Sequence, residues 1–373
     1  MNSLSALDRK LLRDLWHIRG QALAIALVLA CGVGMFIMSS GMLVSLDETR
    51  HAYYQRYRFA DVVAPVKRAP EALRAHIADL PGVRRAETRI RAGAILDVAG
   101  VAAPITGQLI SLPHPPRPRI NDLVLRRGRL PAGAGGNEVV LLEAFAEAHG
   151  LLPGDTLHAV LNGTRRALHI VGLVLSPEYV YAISPGDIVP DPGRFGVLWM
   201  SRDLLAHAFD LDGAFNELLL LTARHASERG LIDQLDRLLE PYGAPGAYGR
   251  DQQISDQFLG SEIDQLRTMA RVLPPIFLLV AAFLLHVVLS RLIATEREQV
   301  GLLKAFGYSN RDLAAHYLRM TGLIALLGGL LGGLLGDEAG CLLGLLGNGA
   351  DDTLTPGQQS EVFLDAQPIG IRF

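Results

Sequence analysis

Lysines, histidines and paired acidic residues come first, because phosphate chemistry, metal binding and acid–base catalysis draw on them. The chain has three lysines, Lys10, Lys67 and Lys304, and none follows a glycine. A nucleotide-hydrolysing loop needs Gly-Lys-Ser/Thr, so that backbone N–H groups and one ammonium cradle the phosphates. Nucleotide hydrolysis is therefore not expected in this chain. No Gly-x-Ser-x-Gly elbow and no His-Glu-x-x-His helix occurs. His149, His158 and His169 are close in sequence, but His158 and His169 fall out of register in the hairpin that Asn162-Gly163 predicts. Capped or exposed histidines are expected there, with no metal. No acidic pair has a spacing that argues for catalysis, so neither a catalytic residue nor a cofactor is assigned. His286 is the one ionisable group deep in an apolar run. Such a residue is costly in a membrane; it serves either function or a hydrogen bond to a neighbouring helix.

The elements around these residues are set by an uneven apolar content. Half of the 373 residues are hydrophobic, and the formal net charge is −3, which gives no reason to expect a nucleic-acid partner. Gln21–Leu46 carries no charge and is long enough to cross a bilayer. Val272–Ile293 is a second such run, with Pro274 and Pro275 expected in its first turn, where a missing N–H costs least. Tyr317–Gly336 is a third, shorter and Gly-rich, which Asp337 and Glu338 are expected to stop. Arg9, Lys10, Arg13 and Arg19 precede the first run, and Arg297, Lys304 and Arg311 lie between the second and third. Basic flanks stay in the cytoplasm, so residues 47–270 are expected outside. Cys31 and Cys341 both fall outside that stretch, which must hold together without disulfides.

Leu4, Leu7, Leu11, Leu15 and Ile18 recur at helical spacing. They predict an amphipathic helix from near Ser3 on the inner membrane face, turning at Gly20. The external stretch reads as α+β. Strands are expected at Asp61–Val66, Ile90–Val98, Val101–Ser111, Glu138–Leu142, Val197–Met200 and Glu217–Thr222. Helices are expected at Glu71–Leu80, Glu143–His149, Ser201–Phe209 and Ser227–Glu240. "PHPPRPR", Pro113–Arg119, is expected to be a seam between two subdomains. Polar helices before and after the domain read as a stalk. The fold class expected is a membrane α-helical protein with three transmembrane helices and a large extracytoplasmic α+β domain of two subdomains. Its segments are 1–19 amphipathic helix, 20–46 first crossing, 47–270 external domain with stalk, and 271–294 second crossing. A cytoplasmic elbow at 295–316, a third crossing at 317–336 and an atypical, disordered tail at 337–373 follow.

The elbow, "EREQVGLLKAFGYSNRDL", is the most informative stretch. Glu296 and Glu298 stand at a helix start, where carboxylates meet the positive dipole end. Leu302 and Phe306 line one side, and Gly307 is placed to end the helix. Ser309 and Asp312 have the spacing of a capping box for the next helix. A solvated loop needs none of these devices, whereas a docking knob does.

Here the residues reach a resemblance. Arg297, Glu298, Gly301, Leu303, Lys304, Ala305, Gly307 and Ser309 match in order a segment of the FtsX/MacB-type permeases. These are the type VII, or mechanotransmission, ABC transporters. "GRLP" and "GGNEVVLLEAFAEAHGLLPGDTL" resemble the family's periplasmic core domain. The resemblance implies a permease subunit in a bacterial inner membrane, multi-pass, with a cytoplasmic N-terminus. It implies that Arg297, Glu298, Gly301, Leu303, Lys304, Phe306 and Gly307 contact a separate cytoplasmic ABC ATPase subunit. It further implies a homodimer or heterodimer of permeases, contact with membrane lipids, a periplasmic adaptor in some members, and export or extraction of a lipid, lipoprotein, antibiotic or peptide. Relatives that carry no substrate and instead regulate cell-wall hydrolases form one alternative; a non-transporting sensor or receptor is another. The family's unit has four helices and this chain shows three, so a truncated or frameshifted longer permease, defective as a fragment, is also expected.

Overall fold

A computed structural model describes residues 6–101, 104–133, 136–187 and 189–348, with side chains from residue 9 to residue 338. The chain divides into two units, Met1–Thr49 with Glu262–Phe373, and Arg50–Ser261. It begins with helix α1, Ala6–His17, and helix α2, Arg19–Arg56. Ser3 lies outside the described residues. The break between the helices falls at Ile18, two residues before the expected turn at Gly20.

Within Arg50–Ser261 the chain forms β1 (Val62–Pro70), α3 (Leu73–Ala78), β2 (Val83–Arg89), β3 (Arg91–Asp97) and β4 (Ile105–Leu112). Next come β5 (Val124–Gly128), β6 (Glu138–Leu142), α4 (Glu143–His149), β7 (Thr156–Leu161) and β8 (Thr164–Leu175). The set ends with β9 (Phe195–Ser201), α5 (Arg202–Ala208), β10 (Ala214–Thr222), α6 (Glu228–Leu239) and β11 (Tyr248–Gly249). Among the described residues these strands make two sheets, ordered β11-β1-β10-β2 and β5-β8-β6-β9-β4-β3-β7. β7 also pairs with β8, so the larger sheet curls and closes on itself through that pair, while β5 pairs with the other end of β8. Its interior is apolar: Leu96, Leu141, Phe145, Leu157 and Leu198 are all buried. Asn162 and Gly163 both take positive φ in the β7–β8 hairpin, as their types require. His158 faces Ala167 and His169 faces Thr156, so the two histidines do not meet.

The expected seam at Pro113–Arg119 is not where the sheets part. β3 and β4, placed before it in the first subdomain, belong to the larger sheet, which they enter by pairing with β7 and β9. The chain passes between sheets at Ile90 and returns at Asp212-Gly213. A proline-rich run marks extended backbone, which need not coincide with a domain edge. What marks the junction is charge. Arg89 donates through Nη1 and Nη2 to Glu178 at 2.7 and 2.5 Å, and through Nε to Glu217 at 2.5 Å. Arg91 donates to Glu217 at 3.1 Å, and Asn121 to Glu178 at 2.9 Å. Burial favours a neutral Glu217, but Arg89 and Arg91 overcome it and hold the carboxyl below its usual range. Ser255 Oγ donates to the Glu178 carbonyl at 2.7 Å, tying the next helix to the same cluster.

That helix is α7, Ile254–Thr295; α8, Arg297–Ala305, and α9, Asn310–Asn348, follow. α2, α7 and α9 are long and apolar enough to cross a membrane. The stalk helix after the domain and the second crossing form one continuous helix, so Pro274 and Pro275 are interior and not in a first turn. Asp337 and Glu338 do not end α9, because two charges at the end of an apolar run leave backbone hydrogen bonding intact and the helix runs to Asn348. Cys341 therefore falls on α9, and the rest of the tail, 349–373, lies outside the described residues. α9 meets α2 through Gly328, Gly332 and Gly336, four apart. A Cβ on Gly332 would stand 2.7 Å from the Ala30 carbonyl oxygen and 2.8 Å from Val33 Cβ. Small residues at this spacing let helix backbones approach, which replaces the hydrophobic drive that lipid cannot supply.

The buried arginine cluster has a measurable consequence. Arg129 and the Ala132 N–H also hold half-buried Glu138 down, to about 2. Stability from Glu217 and Glu138 is present above the ordinary carboxylate value of about 4.3 and is lost as pH falls through their lowered values. Burial pushes Glu87 up, so its protonation partly offsets that loss. In Arg50–Ser261 expressed alone, Glu217→Gln is expected to cost about 3–5 kcal/mol near neutral pH, since it leaves buried guanidinium charge short of a partner. Denaturant unfolding should show the gap to the parent narrowing as pH is lowered; a gap constant with pH would contradict the assignment.

Candidate docking site

The elbow joins two apolar helices through a tightly specified turn. α8 ends at Phe306, whose N–H donates to the Leu302 carbonyl at 3.1 Å. Gly307 follows with φ +92°, its N–H donating to Lys304 at 3.0 Å, while the Tyr308 N–H reaches Leu303 at 3.2 Å. This paired closure uses carbonyls that would otherwise be orphaned, and it requires the left-handed backbone that glycine adopts freely. Ser309 and Asp312 then cap α9 reciprocally. The Ser309 N–H donates to Asp312 Oδ2 at 2.9 Å, and the Asp312 N–H donates to Ser309 Oγ at 3.3 Å. Asp, one methylene shorter than Glu, still closes the box.

The side chains assigned from sequence fall into two groups. Leu303 and Phe306, with Leu302, Gln299 and Tyr308, line one wall of a groove of about 370 Å³; Lys10 and Arg13 of α1 line the other. Leu302 is 59% and Phe306 75% exposed, an unusual cost for residues of this size unless something covers them. Arg297, Glu298, Gly301, Lys304 and Gly307 are exposed but do not line this groove. Gly301 has open space where a Cβ would stand, so close packing within the chain does not explain it. His286 is exposed and has no hydrogen-bond partner among the described residues.

Glu296 does not cap α8 with its side chain. Its carboxylate accepts from Lys10 Nζ at 2.6 Å, while Lys10 also donates to Asp14 at 2.5 Å. The Asp14 carboxylate lies 3.4 Å from His316 Nε2. α1 is thus not simply laid on a membrane surface. Leu11 and Ile18 are buried with Ile25, Leu292, Met320 and Ile324, while Trp16 stays exposed with the Arg19 guanidinium over its ring. Lys10, Asp14 and His316 were missed as site residues. Pairs hundreds of residues apart leave no local pattern; the only available signal was a charged residue on the apolar stripe of α1, at Asp14.

Residues 271–352 match the family model described as FtsX-like permease C-terminal. That segment is similar to the C-terminal part of FtsX-like permeases. It contains the second crossing, the elbow and the described part of the third. Three crystal structures are similar to the chain in fold. The periplasmic region of MacB from Actinobacillus actinomycetemcomitans is 12% identical over 56% of this chain and 95% of its own, with a TM-score of 0.35. The extracellular domain of the noncanonic ABC-type transporter YknZ from Gram-positive bacteria is 12% identical over 49% and 93%, with a TM-score of 0.34. A domain of a putative permease protein from Porphyromonas gingivalis is 14% identical over 54% and 96%, with a TM-score of 0.29. No curated protein matches the chain.

In the FtsX-like segment the turn depends on the left-handed backbone at Gly307. Gly307→Val should strain the left-handed position by about 1–3 kcal/mol, whereas Gly307→Asn, which tolerates that conformation, should cost less. Limited trypsin digestion at Lys304 and Arg311 reads the effect. Val is expected to open these sites well before Asn does, and equal rates would contradict the role given to glycine.

Proposed function

We propose that this chain is the permease subunit of an ABC exporter, in which a separate cytoplasmic ATPase moves the elbow. The observation that carries the reading is a short helix closed by Gly307, with exposed Leu302 and Phe306, placed between two membrane-length helices inside the FtsX-like segment. The basic flanks support an N-terminus and an elbow in the cytoplasm of a bacterial inner membrane, with the α+β domain outside. Arg297, Glu298, Gly301, Leu303, Lys304, Phe306 and Gly307 are the residues proposed to meet the ATPase. The continuous helix from Ile254 to Thr295 supports mechanical coupling, since a helix transmits displacement along its axis better than a flexible linker. The cargo class that fits this design is an amphiphile or peptide taken from the outer leaflet or periplasm, rather than a solute carried through a bilayer channel.

Purification of the tagged full chain from its native membranes should retain an ABC ATPase whose ATP turnover depends on the elbow. Glu298→Lys removes a carboxylate from the first turn of α8 and sets a cation against the helix dipole, about 0.3–1 kcal/mol locally. It should reduce both the ATPase retained and its stimulation, while membrane insertion is unchanged. Full retention and stimulation by Glu298→Lys and by Gly307→Val together would sink the docking role.

A further inference from the structure

α1 and the elbow are held by a buried group of charges. The side chains of Lys10, Asp14, Glu296 and His316 are exposed by only 10, 4, 12 and 3%. Lys10 bridges two carboxylates, and Tyr317 Oη lies 3.5 Å from Glu296, so α1, the start of α8 and α9 share one cluster. Charges so far from water remain only when paired, and removal of one partner strands the others. Beside this cluster opens the groove whose walls are α1 on one side and α8 with Tyr308 on the other. Its cations differ in state. Lys10 is spent on Asp14 and Glu296, whereas Arg13 is exposed and has no partner among the described residues. Arg9, Arg297 and Lys304 are likewise exposed on the same two helices, against a single exposed carboxylate among the described side chains, Glu298.

We propose that α1 and α8 form one composite docking face, clasped by Lys10, that receives an apolar side chain bordered by carboxylates on the ATPase subunit. The inference rests on the permease reading above and adds α1 to its docking machinery. Leu302 and Phe306 supply the apolar floor, Arg13 supplies the charge that selects an acidic rim, and the clasp sets the width between them. α1 then moves with the elbow instead of resting independently on the membrane.

Two readouts separate the clasp from the docking. In the full chain with Cys31→Ala and Cys341→Ala, Arg13→Cys and Gln299→Cys place thiols on opposite walls of the groove for a short bis-maleimide. Lys10→Glu, which gathers three carboxylates, should cut cross-linking about tenfold, the change expected when a buried pair becomes a repulsion. Lys10→Arg should hold it within about twofold of the parent, since the charge is kept. Cross-linking unaffected by Lys10→Glu would overturn the clasp. In the otherwise native chain, Arg13→Glu, an exposed change that spares the fold, should lower retention of the ATPase about tenfold at low salt, with the difference shrinking as salt rises. A parent that retains the ATPase while Arg13→Glu retains it equally overturns the composite face alone. A parent that retains no ABC ATPase overturns the functional reading and, with it, the occupant proposed here.

Discussion

A charge withdrawn from water must find an opposite charge, and much of this architecture follows from that requirement. Lys10 stands on the N-terminal helix with almost no solvent around it, and Glu296 and Asp14 meet it at hydrogen-bonding distance. An unpaired ammonium at that depth would cost several kcal/mol, so the position of α1 and that of the elbow are coupled. The apolar contacts of Leu11 and Ile18 with Met320 and Ile324 set α1 against α9, but they are nondirectional. The ion pairs supply the register. Once that register exists, the groove beside Leu302 and Phe306 has a defined second wall.

The α+β unit uses the same device. Arg89 sits where the two sheets join and spends its donors on Glu178 and Glu217, which Arg91 and Asn121 also approach. Arg202 adds a second tie, donating to Glu71 at 2.5 Å and to the Thr88 carbonyl at 3.0 Å. Subdomains locked by several buried charge pairs resist opening against each other. A motion reaching this unit would displace it as a body. Between α2 and α9 the means is different, because a membrane offers no hydrophobic gain for helix contact. Gly328, Gly332 and Gly336 let the backbones touch instead.

Local chemistry was legible in the sequence, and distant pairing was not. Gly307, Ser309 and Asp312 announce a turn because each acts on backbone within a few residues, and the structure uses them so. The Asn162-Gly163 hairpin and the Gly150 stop of α4 are of the same kind. Pro113–Arg119 misled, since proline reports an extended chain without saying which sheet the flanking strands join. Pro274 and Pro275 misled differently. The stalk residues before Val272 are helical and continue into the crossing, which leaves both prolines in the helix interior. The Lys10–Glu296 pair spans 286 residues, and nothing near either residue names the other. The Gly-rich run was visible as composition, but the glycines that face α2 emerge only from the phase of α9.

The central claim is that the elbow lies in the cytoplasm, where an ATPase can reach it, and the α+β unit on the other side of the membrane. The most direct measurement is thiol labelling in intact cells with a membrane-impermeant maleimide. Arg224→Cys and Asn310→Cys, introduced one at a time into the chain with Cys31→Ala and Cys341→Ala, report on the two sites, both of which are exposed. The account predicts that Arg224→Cys is labelled from outside, and that Asn310→Cys is labelled only after the membrane is opened. Labelling of Asn310→Cys from outside, or of both positions alike, would contradict it.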